Sequence, residues 1–149
     1  MLKKIKNMML GANAYAESAE DPEERQQLAL AALLVEVARA DFSESSVEHA
    51  EIKRLLAAHF ELTQGEAAKL FERASKAMDE SVSLFDFTRA LHESMDYDEK
   101  QGVIELLWKV ALSDNELDKY EDYLVGKVAD LLYVSRKDVI RIKNEVAGI

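Results

Sequence analysis

Two pairs of acidic residues recur at the same spacing in distant parts of the sequence. Asp41 and Glu48 are seven positions apart, and so are Asp114 and Glu121. Carboxylate oxygens are the ligands that hard divalent cations prefer, and several of them must converge within about 2.0–2.6 Å of the ion. One pair is too few, but both pairs together would suffice. The pattern therefore makes these four residues a candidate site for Ca²⁺, Mg²⁺ or Zn²⁺.

The second acidic stretch, "DNELDKYEDYLV" from Asp114, has part of the pattern of a calcium-binding EF-hand loop. Acidic residues occupy positions 1, 3 and 5, where the loop needs oxygen ligands. However, Lys119 stands where the sharp turn needs glycine, and Val125 stands where the bidentate glutamate belongs. The stretch is not an EF-hand.

Helix capping is a second explanation for half of these acids. Ser45-x-x-Glu48 and Asp118-x-x-Glu121 both match the capping box, in which the first side chain and the glutamate bond to free backbone N–H groups at a helix start. Such a cap contributes about 1 kcal/mol. Glu48 and Glu121 therefore have a structural role available that needs no cation.

Asp41 and Asp114 are harder to explain, because each is predicted at the C-terminal end of a core helix. The helix dipole disfavours an anion there. Three compensating arrangements stay open: N–H groups in the following turn, a basic side chain, or a divalent cation. Because the same placement occurs in both parts of the chain, the interpretation as a divalent-cation site gains support.

These stretches belong to a longer internal repeat. The segment "LLVEVARADFSESSVEHAEI" from Leu33 aligns with "LLWKVALSDNELDKYEDYLV" from Leu106 at an offset of 73. After one deletion the match resumes with Leu62/Val134 and Thr63/Ser135, so that the repeat spans about 33–70 and 106–142. It predicts two three-helix units related by a pseudo-two-fold axis. The two acidic loops converge if the core helices are parallel, and they separate if the helices are antiparallel.

Composition predicts an all-α fold, a compact bundle of about seven helices. The chain of 149 residues has one proline and five glycines, and good helix formers dominate. Periodicity and capping signals place the helices at about 22–40, 46–59, from 64 onward, 83–95, 97–112, 119–132 and 136–147. The first contains "LALAALLVEVA", which is apolar nearly all round and so belongs at the centre of the domain.

We expect one helical domain at 21–149, after a segment at 1–20 that is first basic and then acidic. A net charge of −10 argues against nucleic acid as a partner. Lys3, Lys4 and Lys6 alternate with apolar residues and predict weak contact with an anionic membrane surface; a terminal helix packed on the domain, or disorder, is the alternative. Without cysteine there are no disulfides or thiolate sites, and we expect a cytoplasmic protein.

Catalytic signatures are missing from the sequence. His49, His59 and His92 do not have metal-binding spacing, and neither a glycine-rich phosphate loop nor a serine nucleophile elbow occurs. We therefore expect a binding module and not an enzyme. The alternatives are a metal-dependent hydrolase that uses the repeated carboxylates, and a purely structural adaptor.

The segments "LLVEVARADFS", "LFDFTRALHESM" and "VIELLWKVALSDNELDKYEDYLVGKVADLLYVSRKD" resemble the TerB-like family, tellurite-resistance protein B and its relatives, over about residues 25–145. The resemblance implies an all-α domain with two related halves, without established enzymatic activity, and linked to tellurite or general envelope stress. It implies a protein partner, in some members a membrane protein, and metal sensing. The family's acidic motif falls on Asp41, Glu48, Asp114 and Glu121, but Phe42 and Asn115 stand where the family usually has glycine.

Overall fold

The computed structural model describes residues 21–40, 46–80, 83–113 and 119–149, with the backbone alone at 46–48. These residues form seven helices joined by short connections. The helices are α1 (Pro22–Arg39), α2 (Ser46–Phe60), α3 (Gln64–Glu80), α4 (Leu84–Ser94), α5 (Tyr97–Ala111), α6 (Lys119–Leu131) and α7 (Arg136–Ala147). No strand occurs in these ranges. The predicted all-α bundle is confirmed, with helix ends within about two residues of the predicted ones.

Helix α1 is the centre of the bundle, as its apolar sequence predicts. Every residue from Leu28 to Val35 is buried, and so are Val37 and Ala38. Five helices, α2 to α6, pack around it. A helix that is apolar on all sides can fold only if other elements cover each side, and this requirement sets the arrangement of the domain.

Local capping explains where the helices begin. The Asp21 carboxylate accepts a 2.7 Å hydrogen bond from the Glu23 N–H, and Pro22 occupies the first helical position of α1. Reciprocal capping boxes open two further helices. They are formed by Thr63 with Glu66 at the start of α3, and by Asp96 with Glu99 at the start of α5.

The second helix of each repeat, α2 in the first and α6 in the second, ends in the same way. Glu61 after α2 and Tyr133 after α6 both have left-handed backbone, with φ of 55° and 61°. The next residue in each case donates a 2.9 Å hydrogen bond to a carbonyl in the last turn, Leu62 to Ala57 and Val134 to Ala129. This is the Schellman ending. The aligned pair Leu62/Val134 is therefore equivalent in local structure, while the pseudo-two-fold relation of the whole units stays a prediction.

Helical spacing in the sequence predicts core packing for six aromatic residues, Phe60, Phe71, Phe85, Phe87, Trp108 and Tyr133. Two of them lie at the surface instead. Phe85 is 52% exposed and Tyr133 is 74% exposed. Phe85 belongs to the first turn of α4, on the side away from the buried Phe87 and Leu91. Tyr133 belongs to the turn that ends α6, so the helical periodicity used to predict its burial does not apply to it. Trp108 and Phe87 are buried as expected.

Helix α7 is held mainly by α5. The Trp108 indole N–H donates a 3.2 Å hydrogen bond to the Val139 carbonyl within the buried interface. At the start of both helices, the Tyr97 hydroxyl donates a 2.5 Å hydrogen bond to the Asp138 carboxylate and accepts one from the Ser135 N–H. The bond from Tyr97, more than any other contact, lowers the pKa of Asp138 below its ordinary value.

None of the helices in the described ranges is long and apolar enough to cross a membrane.

Truncating the centre of α1 tests its place in the core. Leu34 is fully buried, and we expect Leu34→Ala to lower the free energy of unfolding by about 2–5 kcal/mol, because it removes buried methyl groups and leaves a cavity. Urea denaturation followed by circular dichroism measures this change. Ile140→Ala is the control: Ile140 is 53% exposed, and its truncation should change stability by less than about 0.5 kcal/mol. Equal losses in the two variants would contradict the central position of α1.

Removing the Tyr97 hydroxyl tests the contact between α5 and α7. In Tyr97→Phe the pKa of Asp138 should rise toward its ordinary value of about 3.9. Because the folded-state pKa is lowered, the contact stabilises the fold above that ordinary value and is lost as the pH falls through the folded-state pKa. An NMR titration of the Asp138 carboxyl carbon measures the change, with the exposed Tyr123→Phe as control. A pKa unchanged in Tyr97→Phe would show that the hydroxyl has no effect on the carboxylate.

Candidate cation site at the ends of the core helices

Of the four acidic residues predicted to share a cation, the structure describes one side chain, that of Glu121. Asp41 and Asp114 lie outside the described residues, and Glu48 is described only as backbone in the first turn of α2. The helices before the two aspartates end at Arg39 and Ala111. In the sequence, Asp41 comes two residues and Asp114 three residues after the end of a core helix.

Glu121 is fully buried in the first turn of α6, with 0% of its surface exposed. A carboxylate is almost never fully buried unless polar or charged groups compensate for the lost water. The position therefore demands either a protonated carboxyl or compensating charge and hydrogen bonds around it.

Capping alone does not account for this burial. Glu66 and Glu99 take the glutamate position of the two capping boxes that the structure describes, and both are exposed. The predicted boxes Ser45-x-x-Glu48 and Asp118-x-x-Glu121 begin at residues outside the described ranges, so they stay predictions. If Glu121 also caps α6, it does so from inside the protein. In this it differs from the capping residues Glu66 and Glu99, which lie at the surface.

The two core helices, α1 and α5, point the same way. Gln26, in the second turn of α1, donates a 3.2 Å hydrogen bond to the Ser94 hydroxyl at the end of α4, and α5 begins at Tyr97. Both helices thus begin at the same end of the bundle, and they pack against each other. Their C-terminal ends, after which Asp41 and Asp114 follow, consequently lie toward the other end.

Helix α2 also starts near that end. A surface hollow of about 400 Å³ is lined by Glu51 and Arg54 of α2 and by Lys109 and Leu112 at the end of α5. The second turn of α2 is therefore beside the last turn of α5. The last described residues after α1 and α5, Ala40 and Ser113, therefore lie toward this end of the bundle, beside the start of α2. Of the two arrangements that the sequence left open, this is the one in which the repeated acids can share a ligand.

Three basic side chains near this end have acidic partners. Arg39 in the last turn of α1 forms a 2.7 Å ion pair with Asp79 of α3. Lys109 pairs with Glu105 within α5 at 3.7 Å, and Arg54 pairs with Glu51 within α2. Each of these cations is therefore already engaged by another carboxylate.

A family model described as tellurite resistance protein TerB matches residues 27–144. The chain belongs to the TerB family. The matched range contains both acidic pairs and all but the first residues of α1 and the last residues of α7, which confirms the resemblance seen in the sequence. No curated protein and no solved structure matches the chain.

In this TerB-family chain, the histidines contact aromatic rings. The ring centroids of His49 and Phe71 are 5.2 Å apart, and those of His59 and Phe60 are 4.8 Å apart. His92 lies 4.9 Å from the Tyr133 ring and contacts the Lys100 ammonium at 2.6 Å. Within the described ranges no three histidine or acidic side chains cluster so as to hold a metal. The candidate site thus depends on Asp41, Asp114 and Glu48 joining Glu121.

The sequence interpretation missed one concave feature, a groove between α6 and α7. Its floor is Trp108, and Asp122, Gly126 and Lys143 line its walls. Asp122 is exposed and forms a 3.2 Å ion pair with Lys143. One sequence feature could have pointed to the groove. Gly126 lies in the interior of a helix, where glycine is unfavourable by roughly 1 kcal/mol relative to alanine.

Proposed function

We propose that this TerB-family chain acts in tellurite resistance as a binding module and not as an enzyme, and that it binds a divalent cation through its repeated acids. The ligands in this proposal are Asp41, Glu48, Asp114 and Glu121. The site would lie at the end of the bundle where the two core helices finish. Carboxylates alone favour Ca²⁺ or Mg²⁺ over Zn²⁺, which prefers nitrogen and sulfur ligands.

The burial of Glu121 is the observation that carries the cation proposal. A bound cation compensates for a buried carboxylate directly, and it also explains why two aspartates follow helix ends, where the dipole disfavours anions. The parallel direction of α1 and α5 supports the proposal, because both helices then finish at the end of the bundle where the acids would have to meet.

Binding without catalysis accords with the family and with the sequence, in which catalytic spacings are missing. We further propose that the domain works on the cytoplasmic side of the envelope through a protein partner. Binding a cation at the end of the bundle would order the segments that carry the acids, and a partner could sense that change.

Isothermal titration with Ca²⁺, Mg²⁺ and Zn²⁺ tests the cation proposal. We expect one site on the parent chain, and a loss of affinity of about tenfold or more in Asp41→Ala, Asp114→Ala and Glu121→Gln, since each removes a charged ligand. Thermal unfolding with and without the cation gives a second readout, because a ligand that binds only the folded state raises the melting temperature.

The Glu121→Gln variant separates the two explanations for Glu121. Glutamine also serves in a capping box, so a glutamate that only caps α6 can be replaced without effect on binding. Glu24→Gln is the matched control: Glu24 is exposed in the first turn of α1, at the opposite end of the bundle. Cation binding that is absent from the parent, or unchanged in Asp41→Ala, Asp114→Ala and Glu121→Gln, would refute the site.

A further inference from the structure

The groove between α6 and α7 has the form of a binding surface. It has a volume of about 610 Å³, within the range of about 300–1,000 Å³ that is typical of ligand pockets. Trp108 of α5 forms the floor, and two large exposed side chains stand on the walls, Tyr123 at 66% and Ile140 at 53%. Exposed apolar groups around a concave surface are typical of sites that contact other molecules.

Basic side chains give the groove a charge opposite to that of the whole chain. Lys127, Arg136 and Lys143 line it, against the acidic Asp122 and Asp130, so it has one more basic than acidic side chain in a protein of net charge −10. Lys143 is engaged, since its ammonium pairs with Asp122 and lies 5.1 Å from the centre of the Trp108 ring.

Two of these cations are available to a ligand. Lys127 and Arg136 form no ion pair with any residue in the described part of the chain. They extend from opposite walls, Lys127 from α6 and Arg136 from the first turn of α7. A ligand between the walls would therefore meet exposed apolar surface at Tyr123 and Ile140, with a positive charge on each side.

Gly126 lines the groove without contributing a side chain to it. A Cβ atom at this position would meet nothing within 4 Å, so packing inside the protein does not require a glycine there. Yet glycine in a helix interior is unfavourable by roughly 1 kcal/mol relative to alanine. A partner whose backbone or side chain closely approaches α6 at this point would account for the residue.

We propose that this groove binds a short segment of a partner protein in which an apolar side chain is flanked by carboxylates. The apolar side chain would lie against Tyr123 and Ile140, and the carboxylates would pair with Lys127 and Arg136. The inference deepens the proposed binding role by naming where a protein partner docks. It rests on the chain acting by binding, but it does not require the cation.

The charges argue against other occupants. The basic segment around Lys3, Lys4 and Lys6 would be repelled by Lys127 and Arg136, and a second copy would bring its own net charge of −10. Nucleic acid is a polyanion that would extend beyond the groove, so the net charge of −10 opposes it more than it opposes a short peptide with one or two carboxylates. An acidic and apolar peptide fits both the charge and the walls.

A library of random peptides displayed on phage, selected on the parent chain, tests the proposal. We expect the enriched peptides to share an apolar residue beside aspartate or glutamate. Synthetic copies without tryptophan are then titrated into the protein. Trp108 is the only tryptophan in the chain and forms the floor of the groove, so its fluorescence emission should change on binding.

Two matched pairs of variants locate the binding surface. Gly126→Leu fills the groove, whereas Gly102→Leu adds the same side chain at another open helical glycine, on α5; we expect about a tenfold loss of peptide affinity in the first variant alone. Arg136→Glu reverses a charge in the groove, whereas Lys137→Glu makes the same change one residue along α7, outside the groove. Reversal at Arg136 should weaken binding about tenfold and at Lys137 no more than about twofold.

The outcomes separate this inference from the cation proposal. Peptide binding that persists in Asp114→Ala but is lost in Gly126→Leu supports the groove, whatever the cation titration gives. Enrichment of basic peptides, of none at all, or of peptides that bind Gly126→Leu as well as the parent would overturn it. A dimer that Gly126→Leu dissociates would overturn it too, since a second copy would then be the occupant.

Discussion

The burial of α1 on all sides is the constraint on which the structure depends. From Leu28 to Ala38 only Glu36 keeps contact with water, so neighbouring helices must surround α1 completely. Five of them do so, and the alanines on α1 let them approach closely. Apart from Glu36, the residues of α1 that reach solvent lie near its two ends, in the first turns and at Arg39. The acidic residue Asp41 follows one of those ends.

Glu121 shows that a capping motif does not predict whether its glutamate is buried or exposed. The pattern that predicts its capping role also describes Glu66 and Glu99, which are exposed. Capping depends on residues three positions apart, whereas burial depends on which helices cover the position. Sequence reasoning could name Glu121 as a candidate ligand, but only the packing of α6 against the core shows that its carboxylate is shielded from water.

Helix ends were predictable from the sequence because they are set locally, by caps such as Asp21 and Thr63 and by Pro22. Burial was predictable where periodicity is strong, as at Trp108 and Phe87, and not at Phe85 and Tyr133, near helix ends. The groove could not be predicted at all. Its volume depends on how α6 and α7 cross above Trp108, and the spacing of residues along each helix does not determine that crossing.

The first turn of α6 connects the two proposed surfaces. Glu121 is buried on its inner side, while its neighbour Asp122 reaches across the groove to Lys143. A cation that holds Glu121 would fix this turn, and with it the distance between Asp122 and Lys143. Because Lys143 lies over Trp108, any shift of the turn would change the groove floor. Linkage then requires that a peptide in the groove alter cation affinity by the same factor as the cation alters peptide affinity.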